Sequence, residues 1–568
     1  MIRLGVSEID HDASVALFDG DRLLYAVSEE RLSRVKLHAG FPWRSIDLCL
    51  DRAGIKLADV DLVAIAKPPL RRELRSIHGR LRRYNPVRAG MPLAAAAREL
   101  GALHVYKRAK TTANVVGLNR EIDRWVHDHD VPPQRVKRAY GHHFLHAVCA
   151  YQASGFEDAL AITADGQGGG VTASAYAGRE GRLAKVHEVL WPHSMGVFYA
   201  AVTKALGFKP NRHEGKITGL ASYEPAPEEC LAFCRSVARD RGGTFTVEGM
   251  YGRYPELKAL TRRYSPAQVA AAFQVVLEEV IAAYAAHHLE ASGLSRVVLA
   301  GGVFANVKLN QRIKDLAGVD EVFVFPAMAD CGLAWGAAAY EARHGLPFEP
   351  APIRDVYWGP SYTEEEMAAA LRAAGLPFER VGDVAGAVGD LLAAKAIVWR
   401  FDGRMEFGPR ALGNRSILFH TGDPAVNDWL NKLLHRTEFM PFAPVTLAEH
   451  ASDCFRNLES GRRTAAFMTM TFDCTERMRE QSPAAVHVDG TARPQIIERA
   501  TNPTYYDILR RYHERTGIPS LVNTSYNMHE EPIVCSPEDA VRAYLQAKVG
   551  ALSLGPFLVK QYGTPGSG

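Results

Sequence analysis

The sequence predicts an α/β protein of two domains, the first of them internally duplicated. Three observations carry that prediction. The chain has 568 residues, too many for one hydrophobic core. One strand–loop–hairpin grammar occurs twice, about 155 positions apart. A proline-rich stretch then separates the duplicated part from the rest.

The elements follow in order. "IRLGVSEIDHDASVALFDGDRLLYAVSEE" reads as strand, polar loop, strand, tight DG turn and strand. "FPWRSIDLCLDRAGIKLADVDLVAIAKPP" reads as helix and strand. The next stretch carries seven arginines between Leu70 and Gly90. A solvated helical excursion explains it better than a basic arm for nucleic acid. "ALAITADGQGGGVTASAYAGREGRLAKVHEV" repeats the opening grammar. From Ser265 the pattern is a long helix, with a Ser N-cap, Pro at the first helical position and a closing Gly. "SRVVLAGGVFANVKLNQRI" reads as strand, glycine turn, helix. "EVFVFPAMADCGLAWGAAAYEARHG" reads as strand, loop, helix. The linker falls near 345–360, giving domains 1–350 and 358–568. The second domain opens with a helix from Thr363 and the buried-type strand "AIVWRFDG". The tail "GTPGSG" is expected to be disordered.

Composition narrows the class. A 47% apolar share and a net charge of +3 suit a globular protein and give no sign of a polyanionic partner. Asp10 and Asp12 interrupt any signal-peptide core, and no uninterrupted apolar run reaches the ~20 residues of a membrane span. The eight cysteines are scattered and form no C-x-x-C. Reduced thiols in a cytoplasmic enzyme, monomer or homodimer, without a membrane partner, are expected.

Several motifs carry chemistry. "HEGKITG" (213–219) fails as a P-loop, because Pro210 and Ile217 stand where Gly and Ser/Thr are required. Lys216 can still meet an anion. "DGQGGG" (165–170) and "AGGVFAN" (300–306) offer backbone amides that can cradle phosphate, making Gly166, Gly168, Gly301, Gly302 and Asn306 candidates. In "YGHHFLHA", His142 and His146 share one helix face, with His143 as an alternative partner. With Asp165 and Asp330 at strand ends, two imidazoles and two carboxylates suit Fe(II), Mn(II) or Zn(II). His11, beside Asp12, has the unperturbed pKa of a general base. The second domain sets Arg404, Arg410 and Arg415 among glycines, and adds Lys432, Arg436 and Arg493. With Asn523, Ser525 and Asn527 after a strand, they suit a doubly anionic substrate such as an acyl phosphate with a nucleotide.

"HDASVAL", "SEERLSRVK", "HHFLHA", "ADGQG", "EGKITGLA", "GGVFANVKLN", "DCGLAWGAA", "GRMEFGPRALGNRSIL", "MPFAP", "ARPQ" and "NTSYNMHEEPIVCSPEDA" occur in that order over essentially the whole chain. On them the chain resembles the O-carbamoyltransferases of the NodU and tobramycin type. Met440 stands where that pattern has a residue like Arg before "PFAP". The resemblance implies an actin-like (ASKHA), TsaD-type first domain and a YrdC-like second domain. It implies that carbamoyl phosphate and Mg-ATP give carbamoyl-adenylate in the second domain. The first domain then passes the carbamoyl group to a small-molecule hydroxyl, as in antibiotic biosynthesis. His142, His146, Asp165 and Asp330 would hold a divalent metal, usually iron. His11 would deprotonate the acceptor. Lys36, Arg410, Arg436, Arg493, Ser525 and Asn527 would bind carbamoyl phosphate and nucleotide. The alternatives are threonylcarbamoyl transfer to tRNA and an actin-like, ATP-driven binding protein.

Overall fold

A computed structural model describes residues 1–7, 11–67, 93–102, 108–138, 140–341, 347, 351–426, 431–432 and 439–562. The Arg-rich stretch 70–90, Arg436 and the tail from 563 lie outside these residues. The fold is mixed α/β, in two compact units. One comprises 1–24 and 37–353, the other 25–36 and 354–568. The sequence reading made both domains continuous and missed the excursion of 25–36. Two arginines anchor that segment. The buried Arg31 donates from Nη2 to the Gly408 carbonyl at 2.6 Å. Arg34, in the left-handed region at φ 60°, donates to the carbonyls of Ile533 and Pro532, each at 2.7 Å.

Two five-stranded sheets share one topology, and all their strands lie in the first unit except the last four residues of β3. The strands of the first are β1 (Ile2–Ser7), β2 (Ser14–Asp19), β3 (Arg22–Ser28), β4 (Leu62–Ile65) and β5 (Val136–Lys137), in the order β3-β2-β1-β4-β5. The second sheet begins with β6 (Ala159–Gly168), β7 (Val171–Arg179) and β8 (Arg182–Leu190). A separate hairpin, β9 (Ala238–Asp240) and β10 (Phe245–Val247), follows, and β11 (Arg296–Ala300) and β12 (Glu321–Val324) complete the sheet. Its order, β12-β11-β6-β7-β8, is the first sheet's order read from the other edge. Each opens on an antiparallel pair, β1 with β2 and β6 with β7. In each, the first strand and the last two run parallel. This repeated topology is that of an internally duplicated domain.

After β5 comes the helix His142–Ser154, and after β12 a short turn leads into the helix Leu333–Glu341. The two helices cross closely at Gly336, where a Cβ would lie 2.6 Å from Cys149 Sγ. The Pro266–Ser292 helix has the Ser265–Gln268 capping box and Gly293 closure that its sequence calls for. At 27 residues it is long and apolar enough to cross a membrane, and 72% of its most apolar window is buried inside the structure.

The second unit is built on one eight-stranded sheet. Its strands are β13 (Phe378–Arg380), β14 (Val398–Phe401), β15 (Arg415–His420), β16 (Ala443–Leu447), β19 (Gln495–Ile497), β20 (Ser520–Ser525), β21 (Gly550–Leu554) and β22 (Phe557–Tyr562). A small pair, β17 (Phe472–Asp473) and β18 (Thr491–Ala492), stands apart. The order is β13-β22-β21-β14-β15-β20-β16-β19. Period-two alternation loads both faces. Trp399, Phe401, Ile417 and Val522 enter one core, while Val398, Leu418 and Leu521 enter the other.

Candidate functional site

In the first unit the duplication brings four chain segments to one place. Asp165 lies near the end of β6, His11 and Asp12 follow β1, His142 opens the helix after β5, and Asp330 follows β12. Open α/β sheets bind ligands beyond such strand ends. His142 and His146 point Nε2 at each other across 3.2 Å. From His142 Nε2 the carboxylate oxygens of Asp165 and Asp330 lie at 3.8 and 3.4 Å. From His146 Nε2 they lie at 3.5 and 3.3 Å. All four ligand atoms fall within 4.8 Å of one another.

The residues fit a divalent cation. Metal–ligand bonds of about 2.0–2.2 Å place neighbouring ligand atoms about 3–3.6 Å apart around a tetrahedral or octahedral ion. Asp330 Oδ1 is buried and accepts no hydrogen bond among the described residues. Burial pushes the His146 imidazole down, but Asp165 and Asp330 outweigh it and raise it to about 9. Burial would raise Asp165, yet His142 and His146 hold it well below the carboxylate range. A divalent cation would replace the proton that this pairing favours, taking the imidazoles in their neutral form together with both carboxylates.

The surrounding contacts hold these side chains in place. Asp165 accepts the amides of Gly166 at 2.6 Å and Gly302 at 3.0 Å. Ser194 donates to the carbonyl of Gly166 at 2.7 Å. Ser7 and Ser14 donate to the carbonyls of Asp330 and Cys331, at 3.1 and 2.7 Å. Gly168 lies against the His142 ring, where a Cβ would fall 2.0 Å from Cδ2. None of these contacts carries a local signal in the sequence, so Ser7, Ser14 and Ser194 were missed.

The phosphate-cradle reading of the glycine loops is therefore corrected. The amides of Gly166 and Gly302 serve Asp165, and that of Gly301 donates to the Met328 carbonyl at 2.7 Å. Gly168 makes room for a ligand imidazole. Asn306 caps the Val307–Lys314 helix and exchanges hydrogen bonds with Gln274. Lys216 is buried in the Glu214–Leu220 helix, with Nζ 5.8 Å from the Phe208 ring centroid. His143 is not an alternative ligand. Its ring nitrogens pair with Thr163 Oγ1 at 2.8 Å and the Val171 carbonyl at 3.0 Å, and burial holds it well below its usual pKa.

His11 stands beside this centre. Its Nδ1 lies 3.4 Å from Asp12 Oδ2, and Asp12 takes the left-handed conformation at φ 65°. Burial would lower His11, but Asp12, Asp330 and Asp165 raise it to about 10. A cation held by the two aspartates would cancel part of that field and bring His11 back toward the range of a general base.

In the second unit the "GRMEFGPRALGNRS" loop is folded around Glu406. This buried carboxylate accepts the amides of Leu412, Asn414 and Arg415 at 2.7, 2.8 and 3.2 Å. Glu406 was overlooked because a carboxylate inside an Arg- and Gly-rich motif gives no sign of pointing inward. Arg415 is corrected out of the anion-binding set. It is 0% exposed, stacks 3.7 Å from the Phe401 ring centroid and donates to the carbonyls of Asp402 and Asn414, at 2.7 and 3.0 Å. Arg410, Arg493 and Lys36 are half-buried in this unit. Ser525 donates to Asn527 Oδ1 at 2.6 Å, and Asn527 to the Glu531 carbonyl at 2.6 Å. Asn523 is 2% exposed, its amide tied to Gln495.

Two family profiles match the chain. One, described as the carbamoyltransferase N-terminus, covers residues 2–339, and the other, the carbamoyltransferase C-terminus, covers 389–561. The nodulation protein NolNO of Sinorhizobium fredii is 33% identical over 97% of this chain and 79% of its own length. NolO of Bradyrhizobium diazoefficiens is 35% identical over 74% of this chain and 78% of its own. An uncharacterised protein of Synechocystis is 32% identical over 99% of this chain and 97% of its own.

Proposed function

We propose that this chain, which belongs to the carbamoyltransferase family, is an ATP-dependent O-carbamoyltransferase with its two half-reactions divided between its units. In the second unit, the YrdC-like part, a water molecule cleaves carbamoyl phosphate to carbamate and inorganic phosphate. The resulting carbamate attacks the α-phosphorus of ATP, giving carbamoyl-adenylate and pyrophosphate. Arg410, Arg493 and Lys36 bind the phosphates, with Ser525 and Asn527 at the end of β20; Arg436 joins them on the strength of its motif. In the first unit, the TsaD-type part, a hydroxyl oxygen of a small-molecule acceptor attacks the carbamoyl carbon. AMP leaves with the bonding electron pair.

His142, His146, Asp165 and Asp330 would hold a divalent metal, iron(II) before zinc or manganese, which would supply positive charge to offset the negative charge of phosphate. His11 Nε2 takes the acceptor's proton, since Nδ1 faces Asp12. The acceptor class we assign is a hydroxylated natural product of the antibiotic kind. The observation that carries the reading is the convergence of two imidazoles and two carboxylates at duplicated strand ends, in a chain of this family. The test is Arg410→Ala. It should abolish carbamoyl-adenylate, read by mass spectrometry after incubation with carbamoyl phosphate and ATP. Adenylate at the normal level would sink the assignment of the second unit.

A further inference from the structure

The β6–β7 ladder is broken where it carries Asp165. Its pairs run in step from Ala159 with Gly178 to Ala164 with Ala173, and the next pair is Gly168 with Val171. Asp165, Gly166 and Gln167 therefore face Thr172 alone. A bulge of this kind re-aims a side chain, and it leaves the bulged residues without ladder partners. The separation of Asp165 from the helix that carries His142 and His146 is then set by other contacts.

His143 supplies two of them, one on each side of the break. It sits on that helix between the two ligand histidines and is 3% exposed. Beyond the break, the Val171 carbonyl lies 3.0 Å from Nε2. A carbonyl only accepts, so Nε2 carries the proton and donates. Before the break, the Thr163 hydroxyl donates to Nδ1 at 2.8 Å. The Ser174 carbonyl, 3.4 Å from the same hydroxyl, competes weakly for that proton. One rigid ring is thus bonded to both strands. Gly168, the ladder partner of Val171, is also the residue against which the His142 ring packs.

We propose that His143 is a positioning residue of the His/Asp centre: by tying the helix to both strands across the bulge, it sets the distance from the His142–His146 pair to Asp165, and with it the affinity for a divalent cation. This role rests on the reading that these four residues hold such a cation. It gives the middle histidine of "HHFLH" a task that requires two nitrogens on a stiff ring, one donating and one accepting. Residues outside the ligand set that orient it are worth about 10–100-fold in metal affinity.

The test uses the full chain, stripped of metal by a chelator, with cobalt(II) alone as the probe. Competition with a chromogenic chelator gives its dissociation constant, and its visible absorption reports the coordination geometry. His143→Leu loses both tethers and should weaken binding at least ~10-fold, with an altered absorption spectrum. His143→Gln keeps a donor for the Val171 carbonyl and gives up the bond from Thr163. It should weaken binding only ~3-fold and retain the wild-type spectrum. A Leu variant that melts lower yet binds cobalt(II) as the wild type does would make His143 a packing residue only, and overturns the proposal. Equal weakening by Leu and Gln also overturns it, since the tether to Val171 would have no effect. If the Leu variant does not fold, His143→Gln and Thr163→Val decide. Each removes the bond from Thr163 and should weaken binding ~3-fold, and unchanged affinity in either overturns the proposal. A folded wild type that binds no cobalt(II) would overturn the reading of the four residues as a metal centre.

Discussion

At the scale of single residues, neighbours decide which polar groups are free to act. His142, His143 and His146 occupy one helix turn and a third. Helical periodicity alone pairs the first and last, because they share a face. The resemblance already left His143 beside the ligand pair, but its partners were not legible, since Thr163 and the Val171 carbonyl meet it only after folding. The glycine amides were misread for a related reason: a backbone N–H has no side chain to show its direction. Gly168→Ala tests the packing on the ligand ring. A Cβ 2.0 Å from His142 Cδ2 must displace the imidazole. Elemental analysis should find bound metal reduced several-fold or more, with carbamoyl-adenylate formation unchanged. Glu406→Gln removes a buried charge from three amide donors. It should cost the second unit about 2–3 kcal/mol in a denaturant titration.

At the scale of elements, the strand–loop–hairpin units and the long capped helix were legible, because their signals are local: alternation, turn residues, caps. The anchoring of 25–36 was not. Nothing near Arg31 or Arg34 in sequence shows that their partners are the carbonyls of Gly408, Pro532 and Ile533. Arg34→Ala removes two hydrogen bonds from a cation and should destabilise the second unit by about 2–3 kcal/mol, read by thermal or chemical denaturation. β15 supplies a pH effect. Burial, reinforced by Lys395, holds His420 below its usual pKa, and its Nδ1 is hydrogen-bonded to the Tyr512 hydroxyl at 2.6 Å. The folded state thus resists a proton that the unfolded chain accepts near pH 6.5. The stability that His420 contributes is complete above about 6.5. It is lost as pH falls from there toward the folded value, by up to about 1.4 kcal/mol per pH unit. His420→Gln should flatten that part of the stability–pH curve, and an unchanged slope would refute it.

At the scale of the whole molecule, an internally duplicated unit is a means of building a site from distant segments. Residues 11, 142, 165 and 330 meet because each half ends its first and last strands at the same edge. That convergence was legible once the repeat was recognised. The loop around Glu406 was not, because a motif rich in arginine and glycine invites an anion-binding reading of every member. Arg415 and Glu406 in fact build the frame.

The central claim is that activation and transfer belong to different units, with the His/Asp centre serving transfer alone. The most direct measurement is made on His146→Ala supplied with carbamoyl phosphate and ATP. Bound metal is read by elemental analysis, carbamoyl-adenylate by mass spectrometry, and transfer by carbamoylated product from a panel of hydroxylated natural products. The account predicts lost metal, lost transfer and carbamoyl-adenylate at the wild-type level or above. Loss of adenylate together with transfer in a folded variant would contradict it.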